Sequence, residues 1–328
     1  MEKINLREER DFGRKISDTF LFLQQNFGPL FKSLLYYAGP VALVAGVFMG
    51  LYQSNFMGLN PESLASANDN PFQFLAQNVF NLNYIITLML AGLGRVVVVG
   101  VTLAFLTAYL ERPGEPVTTA EVWQRFIARF VKLLISTLIY ALAVILATLL
   151  AGGLLAFLMY GGVPDEAMLQ ERIYIMPLAI IGAMFPAIFI AVRMGLFPAV
   201  IYVEGEGVFS AYGRSWRLVK GKWWSTFGLL MVITFIVSII GFAFRIPLLL
   251  ISFFKEILQW ENGNSMQVII IAASIIGILG ETLLYCILHI SLAFQYFNLV
   301  ERQESIGLMR EIDSLGHNPD FNTNEGDY

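Results

Sequence analysis

The stretch AYGRSWRLVKGKWWSTFGLLMVITFIVSII, from Ala211 to Ile240, joins two kinds of sequence without a break. Its first part is rich in arginine, lysine and tryptophan, and an apolar run begins near Ser225. Tryptophan favours the headgroup level of a bilayer, and lysine and arginine favour its anionic cytosolic surface. An apolar run of about 20 residues is long enough to cross the hydrocarbon core as a helix. The stretch therefore predicts an interfacial helix that leads into a membrane-spanning helix.

The composition of the whole chain is typical of a membrane protein. Of its 328 residues, 57% are hydrophobic and 14% are charged, and the mean hydropathy is +0.66. Six stretches are long and apolar enough to cross a bilayer as helices, which satisfy their own backbone groups there. We therefore predict an all-α integral membrane protein with six transmembrane helices. The predicted spans are 34–52, 84–110, 133–160, 173–203, 225–254 and 268–300.

The basic residues between these spans predict the direction of the chain. The connecting segments on one side carry 16 lysines and arginines, and those on the other side carry 2. Cytosolic loops carry the positive excess. We therefore expect a cytosolic N-terminal segment 1–33 with an interfacial helix, a membrane domain 34–300, and a cytosolic tail 301–328. The polar end of the tail is expected to be disordered.

The basic and aromatic residues of the opening stretch are candidates for contact with lipid. Phe209, Tyr212, Trp216, Val219 and Trp223 recur at helical spacing, as in an amphipathic helix. RNA-binding proteins also interleave aromatic and basic residues, but this segment is too short and too closely tethered to form an RNA-reading module. We expect membrane lipids with anionic headgroups at the cytosolic face as partners, and no nucleic acid. The candidate lipid-contact residues are Arg214, Trp216, Arg217, Lys220, Lys222, Trp223 and Trp224.

A similar block occurs three times along the chain. Glu8, Glu111 and Glu204 are each followed by an aromatic residue twelve positions later. A second aromatic residue lies seven positions after the first. Each block then enters a predicted span, so the pattern indicates three cytosolic amphipathic helices and three parallel two-span repeats. The alternative is that membrane insertion repeatedly favours a basic, aromatic segment before an outward span. The aromatic pairs are Phe20 and Phe27, Trp123 and Phe130, and Trp216 and Trp223.

Glycine and proline residues within the predicted spans indicate close packing and breaks. Gly46 and Gly50 form a G-x-x-x-G motif, which permits a neighbouring helix to approach closely. We expect this packing to occur within the chain rather than in a dimer. The predicted kink points are Pro177, Pro186, Pro198 and Pro247.

The ionisable residues inside the spans form a candidate intramembrane polar network. An arginine at the centre of a bilayer costs about 2.5–3.5 kcal/mol on insertion scales, so a partner or water is expected. Glu281 and Arg95 lie near mid-span, and we hypothesise a buried ion pair between them, with Arg245 as the second candidate partner of Glu281. Arg245 near a span end also fits snorkelling, and His289 fits a neutral packing residue. The network residues are Arg95, Glu281, Arg245, Arg193 and His289.

The segment that begins at Ala211 resembles the pattern A-x-x-R-S-W-x-L-x-x-G-x-x-W. This pattern occurs in a bacterial six-span family typified by the membrane-anchor domain of glycerophosphodiester phosphodiesterases. The match covers about residues 204–240, and the six-span layout extends it across the chain. The resemblance implies a location in the bacterial cytoplasmic membrane and a lipid-related process. In bifunctional relatives a soluble phosphodiesterase domain follows the membrane part, whereas only 28 residues follow Val300 here.

The chain lacks the residues that common hydrolytic mechanisms require. Its two histidines are His289, in a span, and His317, in the tail, and its one cysteine is Cys286. It contains no H-E-x-x-H, G-x-S-x-G or G-x-x-x-x-G-K-[ST] motif. We therefore expect no enzyme activity, no cofactor and no metal site.

Two functions remain open. The first is a non-enzymatic scaffold or partner protein in an envelope or lipid-related process of the bacterial cytoplasmic membrane. The second is a carrier or channel for a small anionic solute, favoured by the arginines within the spans and the prolines of the fourth span. A water-accessible cavity that reaches Arg95 and Arg193 would distinguish the second from the first.

Overall fold

The computed structural model describes residues 4–59, 70–112, 115–160, 166–258, 263–305 and 309. Within these residues the regular structure is helical, without β-strands. The predicted disorder at the end of the tail concerns residues outside them. The helices are α1 Phe12–Tyr37, α2 Gly39–Met57, α3 Pro71–Phe74, α4 Leu82–Glu111, α5 Thr119–Tyr160, α6 Glu166–Met194, α7 Phe197–Val203, α8 Val208–Val219, α9 Trp223–Leu258 and α10 Asn264–Glu304.

Six of these segments are long and apolar enough to cross a membrane. The chain is therefore an all-α polytopic membrane protein, as the sequence predicts. The spanning segments are Gly39–Met57, Leu82–Glu111, Thr119–Leu155, Ile180–Val203, Trp223–Lys255 and Asn264–Glu304.

The first span begins later than the predicted residue 34. Helix α1 ends at Tyr37, and α2 begins at Gly39 with a proline in its first turn. Proline is tolerated in a first turn because the N–H that it lacks has no partner within the helix there. The residues just before Ala38 therefore belong to the amphipathic helix α1 rather than to the span.

The fourth span is broken at one of its predicted prolines. Helix α6 runs through Pro177 and Pro186 and ends at Met194. A two-residue turn follows, and α7 begins at Phe197 with Pro198 in its first turn. In the fifth span, by contrast, α9 continues through Pro247.

The three predicted amphipathic segments are all helical, but the second is continuous with its span. Helices α1 and α8 are separate elements, whereas the second segment and the third span form the single helix α5. A capping box begins α5, in which the Glu121 N–H donates to Thr118 Oγ1 at 3.3 Å and the Thr118 N–H donates to Glu121 Oε2 at 3.1 Å. The threefold repeat stays a prediction.

The chain divides into two compact units. One comprises Met1–Lys15, Lys132–Gly228 and Leu292–Tyr328, and we call it the collar unit because it contains the predicted interfacial residues. The other comprises Ile16–Val131 and Leu229–Ser291, and we call it the cleft unit. Helices α1, α5, α9 and α10 contribute residues to both.

Close helix contacts in the cleft unit are made at glycines. A Cβ atom on Gly46 would lie 2.6 Å from the Cα of Ile275, and one on Gly50 would lie 2.5 Å from the Cα of Ile271. These separations are too short for any side chain, so α2 contacts the backbone of α10 through its G-x-x-x-G motif. The motif is used within the chain, as expected.

Candidate functional site

A charged cleft of about 340 Å³ lies among helices α4, α9 and α10 of the cleft unit. Each helix contributes residues at helical spacing, so one face of each helix lines the cleft. On α10, for example, Ile278, Glu281, Thr282 and Tyr285 face it. The polar and charged residues of its lining are Arg95, Thr234, Ser238, Arg245, Glu281, Thr282 and Tyr285.

Glu281 forms an ion pair with Arg245, whose Nε donates to the carboxylate. Within the described part of the chain, Arg245, our second candidate, is therefore the partner of Glu281, and the first candidate Arg95 is wrong. The pair is also not buried as predicted, because the Arg245 side chain is 63% exposed and that of Glu281 is 31% exposed. Arg245 is the partner because of the close approach of α9 and α10. Gly241 lies one turn before Arg245, and a Cβ there would be only 3.9 Å from Glu281 Cγ. The arginine next along this face of α9 therefore reaches the carboxylate.

Arg95 contacts an aromatic ring instead of a carboxylate. Its guanidinium carbon lies 5.5 Å from the centre of the Tyr285 ring, within the range of a cation–π interaction. Among the described residues Arg95 has no ion-pair partner. The lining of the cleft therefore contains two guanidinium groups and one carboxylate, so one positive charge has no counter-ion among the described residues.

His289 lies one turn beyond Tyr285 on α10, but it does not line the cleft. Its side chain is buried, and its ring centre is 4.8 Å from that of Tyr285. Its Nε2 has no hydrogen-bond partner among the described residues. Nor do those residues contain a cluster of three or more His, Cys, Asp or Glu side chains that could hold a metal ion.

The structure does not bring Arg193 to the cleft. Arg193 lies in the last turn of α6, in the collar unit, where a positive charge is favourable at the helix C-terminus. Its guanidinium carbon is 5.4 Å from the Phe189 ring centre and 4.9 Å from that of Trp216. Its Nη1 also donates to the Trp216 carbonyl oxygen at 2.9 Å. Arg193 therefore connects α8 to α6 within the collar unit.

The collar, which we define as residues 214–224, has an exposed apolar and basic face. Trp216 and Trp224 are exposed, as are Arg217, Lys220 and Lys222. Trp223 is half-buried and stacks on Phe189 and Phe227. The buried face of α8 consists of Ala211, Tyr212, Ser215, Leu218 and Val219.

Only some of the apolar residues that recur at helical spacing on α8 therefore face inward. Tyr212 and Val219 are buried, whereas Phe209 and Trp216 are on the exposed side of the helix. Burial against Ser136, to whose carbonyl oxygen the Tyr212 hydroxyl donates, raises the pKa of Tyr212 to about 12. The exposed Phe209 and Trp216 are available for contact with the membrane interface.

Arg214, a member of the predicted lipid-contact set, forms ion pairs with two carboxylates of the chain. Its Nη2 lies 2.5 Å from Glu304 Oε1 and its Nε lies 3.1 Å from Glu204 Oε1. Burial by itself lowers the pKa of Arg214, but these two carboxylates outweigh it and raise that pKa above its usual value. These ion pairs occupy the guanidinium group that the sequence predicts to contact lipid.

Sequence reasoning missed the buried cations of the N-terminal segment. Lys15 is 2% exposed, and its Nζ donates to Gln295 Oε1 at 2.7 Å and to Ser225 Oγ at 3.3 Å. Burial, and secondarily the charge of Arg302, lowers the pKa of Lys15 to about 8. Arg10 is equally buried, and its guanidinium lies 4.8 Å from the centre of the Phe294 ring.

The sequence near the end of α10 contains an indication that the buried cations Lys15 and Arg10 have polar partners there. Gln295 and Asn298 lie three residues apart near the end of the sixth predicted span, and both accept hydrogen bonds from the N-terminal segment. Polar residues on one face of an apolar helix indicate a buried polar partner.

Comparison with known proteins identifies a family but not an activity. No curated protein and no solved structure shows significant similarity to the chain. Residues 119–299 match the family model described as domain of unknown function DUF7847. This match covers more than half of the 328 residues and includes the collar, Arg245 and Glu281, whereas Arg95 precedes it. The chain belongs to the DUF7847 family.

Proposed function

We propose that this polytopic protein is a non-enzymatic component of the bacterial cytoplasmic membrane that binds an anionic group in its charged cleft. It would act in this way as a scaffold or partner in a lipid-related process. The observation that carries the proposal is Arg95, which lines a cavity among three membrane spans and has no carboxylate partner in the described part of the chain. The resemblance to membrane-anchor domains of lipid-related enzymes points in the same direction.

The charges of the cleft favour an anion over a neutral ligand. Glu281 is neutralised by Arg245, so it does not compensate Arg95. Arginine is costly within a membrane unless it has a partner, and it binds phosphate-type anions through two parallel hydrogen bonds. Thr234, Ser238 and Thr282 supply further hydroxyl groups in the cleft. An anionic phosphate group is the ligand chemistry that these side chains match.

The basic residues outside the spans support a cytosolic orientation of the termini and a second contact with lipid. Both termini would be cytosolic, because the segments on that side carry 16 of the basic residues that lie outside the spans. The exposed collar residues Trp216, Trp224 and Arg217 would then lie at the headgroups of the cytosolic leaflet.

Anion binding is tested by thermal unfolding of the purified full chain in a non-ionic detergent. Inorganic phosphate is compared with chloride at equal ionic strength. A ligand that binds only the folded state raises the unfolding temperature as its concentration rises above Kd. We expect phosphate to stabilise the wild type and the control variant Lys32→Gln, which removes an exposed lysine of α1 outside the cleft. Arg95→Gln should respond no more to phosphate than to chloride, and an undiminished phosphate response in this variant would refute the proposal.

The second candidate function is transport of a small anionic solute. The cleft volume of about 340 Å³ favours it, because pockets for small molecules begin at about 300 Å³. Reconstituted vesicles distinguish the two functions. Uptake of labelled phosphate that depends on Arg95 would favour the carrier, and phosphate binding without uptake would favour the scaffold.

A further inference from the structure

A second cavity in the cleft unit, of about 350 Å³, is lined almost entirely by apolar side chains. We call it the apolar groove. It lies among α1, the residue Phe244 of α9, and α10. Its lining residues are Leu23, Phe27, Leu30, Phe31, Leu34, Phe244, Ile276, Leu279, Gly280, Leu283, Leu284, Cys286 and Ile287.

The walls of the apolar groove are aromatic and its rim is exposed. Phe27 and Phe31 stack on each other with ring centres 5.2 Å apart. The Phe244 ring lies directly against Gly280, where a Cβ would come within 2.2 Å of it. Phe27 is 54% exposed and Ile276 is 49% exposed, so the groove opens at the surface of the cleft unit. Both exposed residues are apolar, as suits contact with acyl chains rather than with water.

The apolar groove adjoins the charged cleft. Leu284 lines both cavities. On α9, Phe242 and Arg245 line the charged cleft, and Phe244, between them in sequence, lines the groove. A charged site and an apolar site of similar volume therefore meet along the same two helices. A small inorganic anion would occupy only the first.

We propose that the two cavities together bind one anionic phospholipid, with its phosphate group at Arg95 and an acyl chain in the apolar groove. This inference rests on the proposed binding of an anion in the cleft and specifies its source as a lipid. The uncompensated charge of Arg95 selects an anionic headgroup. An acyl chain gains little by leaving one apolar medium for another, so the aromatic walls provide packing and shape rather than a strong driving force.

The test separates the apolar groove from the charged cleft. Ile276→Trp places a large side chain at the exposed rim of the groove, and Val268→Trp places the same side chain at a 65% exposed position of α10 outside it. Each full-length variant is extracted from nanodiscs that contain equal amounts of phosphatidylglycerol and phosphatidylcholine. Mass spectrometry measures the lipid that each variant retains, and thermal unfolding measures its response to inorganic phosphate.

We expect the wild type and Val268→Trp to retain phosphatidylglycerol in preference to phosphatidylcholine. Ile276→Trp should lose this retention by about tenfold or more but keep the response to phosphate, whereas Arg95→Gln should lose both. If Ile276→Trp retains phosphatidylglycerol like the wild type while phosphate still depends on Arg95, the lipid inference is wrong and the proposed function stands. If phosphate stabilises none of the proteins through Arg95, the proposed function fails as well.

Photocrosslinking gives a second measurement, which does not depend on blocking the groove with a bulky side chain. Benzoylphenylalanine in place of Phe31, which lines the groove, is compared with the same residue in place of Leu21, which is exposed on α1 outside it. We expect phosphatidylglycerol to crosslink at Phe31 and to lose this crosslink in the Arg95→Gln background. Equal crosslinking at both positions would overturn the lipid inference.

Discussion

At the scale of single residues, the ion pair between Arg245 and Glu281 has a defined energetic consequence. The two groups share a hydrogen bond, and each lines the charged cleft. Removing one partner leaves the other charge in the cleft without its counter-ion. The pair therefore joins α9 to α10 in a way that mutation of both residues together should reveal.

We predict a coupling energy of about 0.5–3 kcal/mol between Arg245→Gln and Glu281→Gln in a double-mutant cycle on thermal stability. The matched cycle uses Arg95→Gln with Glu281→Gln. It should show the smaller coupling, because Arg95 contacts the Tyr285 ring instead of the carboxylate. A larger coupling for Arg95 than for Arg245 would contradict the pairing seen in the structure.

The lowered pKa of Lys15 predicts that the stability of the protein depends on pH. Its pKa is about 8 in the folded chain, below the usual 10.5. Between these values the unfolded chain binds one proton more than the folded chain, so stability rises with pH through this window. Below pH 8 both states are protonated, and the burial of the charge is a constant cost.

The measurement is the free energy of unfolding of the wild type relative to Lys15→Met from pH 7 to pH 10.5. We expect the free energy of unfolding of the wild type to rise relative to that of the variant as the pH rises. The increase is at most about 3 kcal/mol, because one pKa unit corresponds to about 1.4 kcal/mol. The variant serves as the control for every other titrating group. A difference that stays constant over this range would show that Lys15 titrates normally.

At the scale of elements, the contact between α2 and α10 depends on the absence of side chains. Gly50 leaves room for the Ile271 backbone, and no flexible side chain end is available there to move aside. We predict that Gly50→Ala destabilises the protein by about 1–3 kcal/mol, as overpacking does. Gly92→Ala on α4 is the matched control, since nothing lies within 4 Å of its added Cβ. Thermal unfolding measures both, and equal stability of the two variants would show that α2 and α10 pack less closely.

At the scale of the whole molecule, the distribution of basic residues predicts the topology. Single cysteines introduced by Ser66→Cys and Asn264→Cys, in a Cys286→Ser background, should react with an impermeant thiol reagent from outside the cell. Asn264 begins α10, and Ser66 lies outside the described residues. A cysteine introduced by Arg217→Cys, in the collar, should react only after the membrane is opened. Labelling of one outer site but not the other would exclude the six-span topology.

The class of the fold and the number of spans follow from the amino-acid sequence alone. Apolar runs of this length leave the backbone no alternative to helices in a membrane, so composition and run length were sufficient. Local chemistry likewise determined the capping box at Thr118, and the contact made by Gly46 and Gly50 was indicated by their spacing. These features depend on residues that are close together in the sequence.

Which charged residues meet depends on how the helices pack. The sequence left Arg95 and Arg245 as alternative partners of Glu281, and the close approach of α9 to α10 selects Arg245. The same holds for Arg193, which Trp216 and Phe189 hold in the collar unit, and for Lys15, which meets Gln295 from 280 residues away. A helical pattern specifies which face a residue occupies but not which helix covers that face, because the packing of distant segments sets the partner.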